Sequence, residues 1–142
     1  MVNRSLLAAK LAELQDRMDR VRSHTPAAAG QLKSDRDALD IVSFNLMLCV
    51  QVCADIASHL IADERWPSAR SLAESFTRLE QHGVISAASA AALKQAVGLR
   101  SVVAHGYAQV DVEACFRAAT TGLLELNEFA RHVSQWATKP SP

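Results

Sequence analysis

Apolar residues recur every three or four positions from the start of the chain: Leu7, Leu11, Leu14, Met18 and Val21. Side chains at that spacing share one face of an α-helix, so the pattern predicts a first amphipathic helix over about residues 4–23. HTPAAAG then interrupts it, with Pro26 and Gly30 as breakers. Ser34 opens SDRDALD, whose early aspartates suit a helix N-terminus through capping and the helix dipole. They could also be imagined as a metal cluster, but the helix start explains them without an ion. The second helix, over about 35–63, is the most apolar: ALDIVSFNLMLCVQVCADIASHLI. A helix apolar on most sides is buried or shared with a partner.

RWPSA breaks the chain at Pro67, and Ser68 is placed to cap a third helix through ARSLAESFTRLEQ. Gly83 is a natural stop for it. Ser86 opens an alanine-rich fourth helix, SAASAAALKQAVGLRSVVAH, which Gly106 follows directly. Asp111 begins a fifth, VDVEACFRAATTGLLELNEFARHVSQW, and TKPSP frays from about residue 138. No stretch alternates as a half-buried strand would. The expected fold is all-α: about five helices with short joints, forming a single domain over residues 1–142.

Charge narrows the function. The chain has 142 residues, with 15 basic and 15 acidic residues and a formal net charge of zero. That argues against a protein that holds nucleic acid mainly by counterion release, though not against an enzyme that meets RNA at a local patch. The N-terminal MVNRSLLAAKLAELQDR carries charges throughout, unlike a signal peptide. No segment reads as about 20 uncharged apolar residues, so no membrane span is expected and the localisation read is cytoplasmic. Three cysteines, Cys49, Cys53 and Cys115, lack further ligands at metal spacing and read as small apolar packing groups. No structural metal and no cofactor is expected.

The chemistry gathers in GLRSVVAHGYAQVD, residues 98–111. Leu93, Val97, Arg100 and Ala104 share one stripe of the fourth helix, beside a second stripe of Ala92, Ala96, Leu99 and Val103. An unpaired guanidinium in an apolar row is costly, so Arg100 needs a carboxylate, a cleft or an incoming anion. His105 lies about 140° further round, too far for one helix to aim both groups at one atom easily. Two copies of the helix meeting across a twofold axis would line one cleft with two Arg and two His, and its rows of small residues would allow that approach. Arginine grips phosphate oxygens and histidine moves protons near neutrality. Together they suit cleavage of RNA, which carries its own nucleophile in the 2′-hydroxyl. The alternative is structural, with Arg100 in a salt bridge and His105 as a cap. His24, His59, His82 and His132 read as surface or capping residues.

The segment resembles a known family. Arg100 to Tyr107, R-S-V-V-A-H-G-Y, is similar to the R-x4-H-x-Y motif of the HepT-like ribonuclease toxins of the HEPN superfamily. DIASHLI, residues 55–61, and ESFTRLEQHGVIS resemble further family segments, in the right order over roughly residues 35–130. The resemblance implies an all-α homodimer and a metal-independent endoribonuclease toxin. It makes Arg100 and His105 catalytic, with Tyr107 the hydroxyl that a MntA-like nucleotidyltransferase antitoxin modifies with AMP. Ser101 stands where the family usually carries Asn or another strongly polar residue, and Asp55 resembles a recurrent family acid; both are expected to support the site. A buried pairing of Asp55 with Arg100 is one option. A competing reading is a non-catalytic helical module that binds nucleotide or docks a nucleotidyltransferase.

Overall fold

The computed structural model describes residues 3–104 and 111–139, with residues 99–104 described as backbone only. Five of its helices begin where short polar side chains reach back to free amides. Asn3 Oδ1 accepts from the Leu6 amide at 3.0 Å and opens α1, Arg4–His24. A short α2, Ala29–Ser34, follows. Asp35 Oδ1 accepts from the Ala38 amide at 3.1 Å to open α3, Arg36–Asp63. Ser71 Oγ accepts from the Glu74 amide at 3.1 Å at the start of α4, Leu72–Gln81. Ser86 Oγ accepts from the Ser89 amide at 3.1 Å ahead of α5, Ala87–Ala104. Asp111 Oδ1 accepts from the Ala114 amide at 3.0 Å for α6, Val112–Ala119, and α7 spans Thr121–Thr138.

The described residues therefore form seven helices where periodicity alone counts five. Two local causes account for the difference. Gly30, read as a breaker, lies inside α2, where the Gln31 side chain accepts from the Ala28 amide at 3.2 Å. The expected fifth helix is broken at Thr120. Its hydroxyl donates to the Phe116 carbonyl at 2.8 Å, and the Thr121 hydroxyl donates to that of Arg117 at 3.0 Å. Such back-bonding competes with the backbone ladder. The third helix also starts later than expected, capped by Ser71 rather than Ser68.

α3 is the axis of the bundle, with α1 laid along it and α2, α4, α5 and α6 packed around it; α7 closes against α5, α6 and α1. By length and composition α3 could cross a membrane, which departs from the expectation that no segment would; 61% of its most apolar stretch is buried inside this protein. Its apolarity follows from packing on several sides: Val42, Leu46, Cys49, Cys53, Ile56 and Leu60 are all buried. They meet Leu14, Met18 and Val21 of α1 and Leu32 of α2 in one continuous core. Phe76 of α4 meets Phe129 of α7 edge-on, with ring centroids 6.3 Å apart. Burying each such side chain contributes about 1.5–3 kcal/mol.

α3 and α4 end in the same way. After α4, the Gly83 amide donates to Glu80 O and the Val84 amide to Leu79 O. After α3, the Arg65 amide donates to Ala62 O and the Trp66 amide to Ile61 O. Both are Schellman endings, which need one residue in the left-handed region. Gly83 takes φ 75° at little cost, whereas Arg65 takes φ 58° with a side chain attached. The two endings are joined by Trp66, whose ring stacks on His82 at 3.9 Å and meets Trp136 edge-on at 5.7 Å.

Candidate active site

α5 carries the first half of the sequence motif. The row assigned to Arg100 begins in the core, since Ala90 and Leu93 are buried and Val97 is half-buried against the same cluster. Lys94, Gln95 and Gly98 are exposed on the other side. Arg100 and Ser101 sit in the last helical turns, and their side chains lie outside what the structure describes. His105 and Tyr107 likewise lie outside the described residues.

Asp55 is described. It sits on α3 with its side chain 39% exposed, and the Arg100 side chain with which a pairing was expected lies outside the described residues. Its Oδ1 accepts from Gln51 Nε2 at 3.1 Å, one turn earlier on the same helix face. Its Oδ2 accepts from Lys10 Nζ at 3.4 Å, and Glu13 approaches the same ammonium at 3.6 Å. The Gln51–Asp55 spacing of four was readable in the sequence. Lys10 was not, because it reaches Asp55 only once α1 lies along α3. A second bridge between these helices was missed for the same reason. The Arg17 guanidinium donates to Asn45 Oδ1 at 3.3 Å, and the buried Asn45 amide donates onward to the Ile41 carbonyl at 2.8 Å.

All three cysteines are buried free thiols. Burial pushes the Cys49 thiol up to about 12 against the opposing pull of the Arg17 and Arg22 charges. Burial likewise raises Cys115 to about 11, helped by the Asp111 carboxylate, and raises Cys53 strongly. A thiol so held stays protonated and is inert as nucleophile or ligand. Among the described residues no three His, Cys, Asp or Glu side chains converge as a metal site. Of the four described histidines outside the motif, His59 is exposed on α3 and the other three have structural surroundings. His24 Nδ1 lies 2.9 Å from the Arg20 carbonyl at the end of α1, His82 ends α4 against Trp66, and His132 Nε2 lies 3.6 Å from Glu128.

Residues 14–133 match the model of the "Ribonuclease HepT-like" family. The chain belongs to the HepT-like family. The matched span includes the R-x4-H-x-Y segment at Arg100, His105 and Tyr107. Among relatives, the mRNA nuclease HepT of Shewanella oneidensis is 30% identical over 99 residues, covering 70% of this chain and 74% of that one. Among solved structures, a tri-AMPylated Shewanella oneidensis HEPN toxin in complex with MNT antitoxin superimposes with a TM-score of 0.85. That pair is 25% identical and covers 95% of this chain and 99% of the toxin. The Bacillus subtilis cytosolic protein YutE has the same fold at 13% identity, with a TM-score of 0.83 over 99% of this chain and 96% of that one. The HepT-like bundle is thus a HEPN-type helical fold, and its relatives include one named an mRNA nuclease and a toxin solved in complex with an antitoxin.

Proposed function

We propose that this chain is the toxin of a toxin–antitoxin pair, a metal-independent endoribonuclease working through Arg100 and His105. The observation that carries the reading is the family match over residues 14–133 together with the intact motif inside it. In the reaction the RNA 2′-oxygen bonds to the adjacent phosphorus and the bond to the 5′-oxygen breaks. The 2′-hydroxyl gives up a proton and the departing 5′-oxygen receives one. Imidazole suits both transfers near neutral pH. Arg100 offsets the charge that builds on the phosphoryl oxygens. RNA brings its own nucleophile, so a base, an acid and a fixed cation are sufficient.

A homodimer supplies that set, with one His105 taking the proton and its counterpart giving one. α5 supports this assembly, because Gly98 is exposed and, beyond its own stretch of helix, nothing described lies within 4 Å of where its Cβ would stand. Ser101 and Asp55 are assigned supporting roles beside this cleft. Tyr107 is assigned as the acceptor of AMP from a MntA-like nucleotidyltransferase, and the AMPylated state of the Shewanella oneidensis toxin supports that. Added phosphates would put negative charge beside a cleft that must admit RNA phosphate, and so silence it. The expected setting is the cytoplasm, where cellular RNA is the substrate.

The test is growth inhibition and RNA cleavage, with chelator present, by the parent and by His105→Ala and Arg100→Ala. Both variants should fold, lose cleavage and lose toxicity; variants as toxic as the parent would place the chemistry elsewhere. Ser101, in place of the family's more strongly polar residue, favours one other reading, a non-catalytic module that docks the nucleotidyltransferase. A parent that binds such a partner but leaves RNA intact would establish that instead.

A further inference from the structure

The last two turns of α3 and the segment leading into α4 enclose a groove of about 690 Å³ that no part of the ribonuclease reading uses. Arg65 and Arg70 line it, with Trp66 and four serines that include the exposed Ser58 and Ser68. No carboxylate lines it among the described residues. Neither guanidinium makes an ion pair with another described residue; Glu74, the acid nearest in sequence to Arg70, accepts from the Arg70 backbone amide at 2.9 Å and pairs with the Arg78 guanidinium at 3.0 Å. Trp66 is fixed in orientation from two sides, by the His82 stack and the Trp136 edge. Arg65 occupies a left-handed position that Gly83 fills in the matching helix ending. Strain kept where glycine would relieve it points to work for that side chain.

We infer that this groove is a second contact for the RNA strand, in which Arg65 and Arg70 grip backbone phosphates while a base packs on Trp66. The inference rests on the proposed ribonuclease activity for its ligand. A rigid aromatic beside free arginines is how proteins hold single strands without reading sequence, and the exposed Ser58 and Ser68 hydroxyls can pair with sugar or phosphate oxygens. The groove also continues a face of α3. Asp55, Ser58 and Ala62 follow one another at steps of three and four on α3, so its near end lies one turn beyond Asp55. A neutral protein could hold RNA through such a local patch without an overall basic charge.

The test uses the full chain carrying His105→Ala, so that RNA stays uncut, and a labelled single strand of about 20 nucleotides, long enough to span such sites. Arg65→Gly with Arg70→Ser should weaken RNA binding about tenfold. It should also flatten the salt dependence by about 1.4, two contacts at about 0.7 each. Its thermal midpoint should not fall, since glycine relieves the strain; Arg65→Lys with Arg70→Lys should keep most of the affinity. With His105 intact, the Gly/Ser pair should raise KM on long RNA and leave kcat unchanged. Unchanged affinity and salt slope in a variant whose parent cuts RNA would overturn this inference alone. A parent that neither binds nor cuts RNA would overturn it together with the ribonuclease reading. AMP displacing all the RNA would make the groove a mononucleotide site. Loss of nucleotidyltransferase binding at full RNA affinity would make it a protein contact. Either of the last two results rejects the strand contact.

Discussion

Arg65 and Gly83 hold the same backbone position in two helix endings that Trp66 and His82 press together, ring against ring at 3.9 Å. At φ 58° the Arg65 Cβ crowds its own carbonyl, at a cost of about 1–2 kcal/mol. Glycine removes that crowding but adds freedom to the unfolded chain, which returns part of the gain. Arg65→Gly should therefore stabilise by about 0.5–1 kcal/mol and raise Tm by about 2–4 °C. Gly83→Ala should do the reverse, since φ 75° admits alanine only with strain although nothing crowds its Cβ. Thermal unfolding of both variants checks the pair, and equal shifts of one sign would show that the two endings are not equivalent.

Gly98 gives a way to separate monomer fold from assembly. A side chain added there would enter open space, with nothing described within 4 Å of its Cβ beyond its own stretch of helix, and the position is exposed on α5. Gly98→Arg should leave the monomer folded, and even favour its helix by up to about 1 kcal/mol, since glycine is a poor helix former. If α5 pairs with its counterpart as proposed, the same change places two bulky cations in the seam. Size-exclusion chromatography should then show a monomer, and RNA cleavage should be lost. A variant that remains dimeric and active would move the interface away from this face of α5.

Much of this fold was legible in the sequence. The stripe from Leu7 to Val21 gave α1 almost to the residue, and Asp35, Gly83, Ser86 and Asp111 marked helix ends by chemistry that needs no partner. What escaped depends on competition or on contact. Thr120 and Thr121 are acceptable helix residues until their hydroxyls find the carbonyls one turn back, and that choice leaves no trace in periodicity. Arg65 ends α3 in a conformation that sequence rules assign to glycine or asparagine. For the site, the order and spacing of Asp55, Arg100, His105 and Tyr107 carried the family, whereas Lys10 beside Asp55 required the docking of α1 on α3.

The buried thiols set an alkaline limit on stability. The folded values of Cys49 and Cys115, about 12 and about 11, stand above the ordinary 9.0 of a thiol. Above pH 9 the unfolded chain loses these protons while the folded one keeps them, so the folded state binds more protons and stability falls with rising pH. The fall should begin near pH 9 and approach about 1.4 kcal/mol per pH unit for each thiol. For Cys115 it levels off near pH 11 and for Cys49 near pH 12. Below pH 9 these groups should contribute no slope. Urea unfolding at several pH values, compared with a Cys49→Ala, Cys115→Ala chain, should show a shallower alkaline decline in the variant.

Asp55 stands between two roles that stability and activity measurements can divide. Its bond to Lys10 joins α1 to α3, but with side chains 25% and 39% exposed the pair is screened by water and salt. Lys10→Met and Asp55→Asn should each cost less than about 1 kcal/mol, with the difference from the parent shrinking in 1 M salt, where the screening length is about 3 Å. Asparagine can still accept the Gln51 bond, so the α3 face should keep its shape. If the Asp55 carboxylate supports the proposed cleft, RNA cleavage should fall at least about tenfold in Asp55→Asn, the equivalent of about 1.4 kcal/mol of lost transition-state stabilisation. Lys10→Met removes the same ion pair and should cleave RNA as the parent does. Equal losses of activity in both variants would show that the bridge, and not the carboxylate, is what matters.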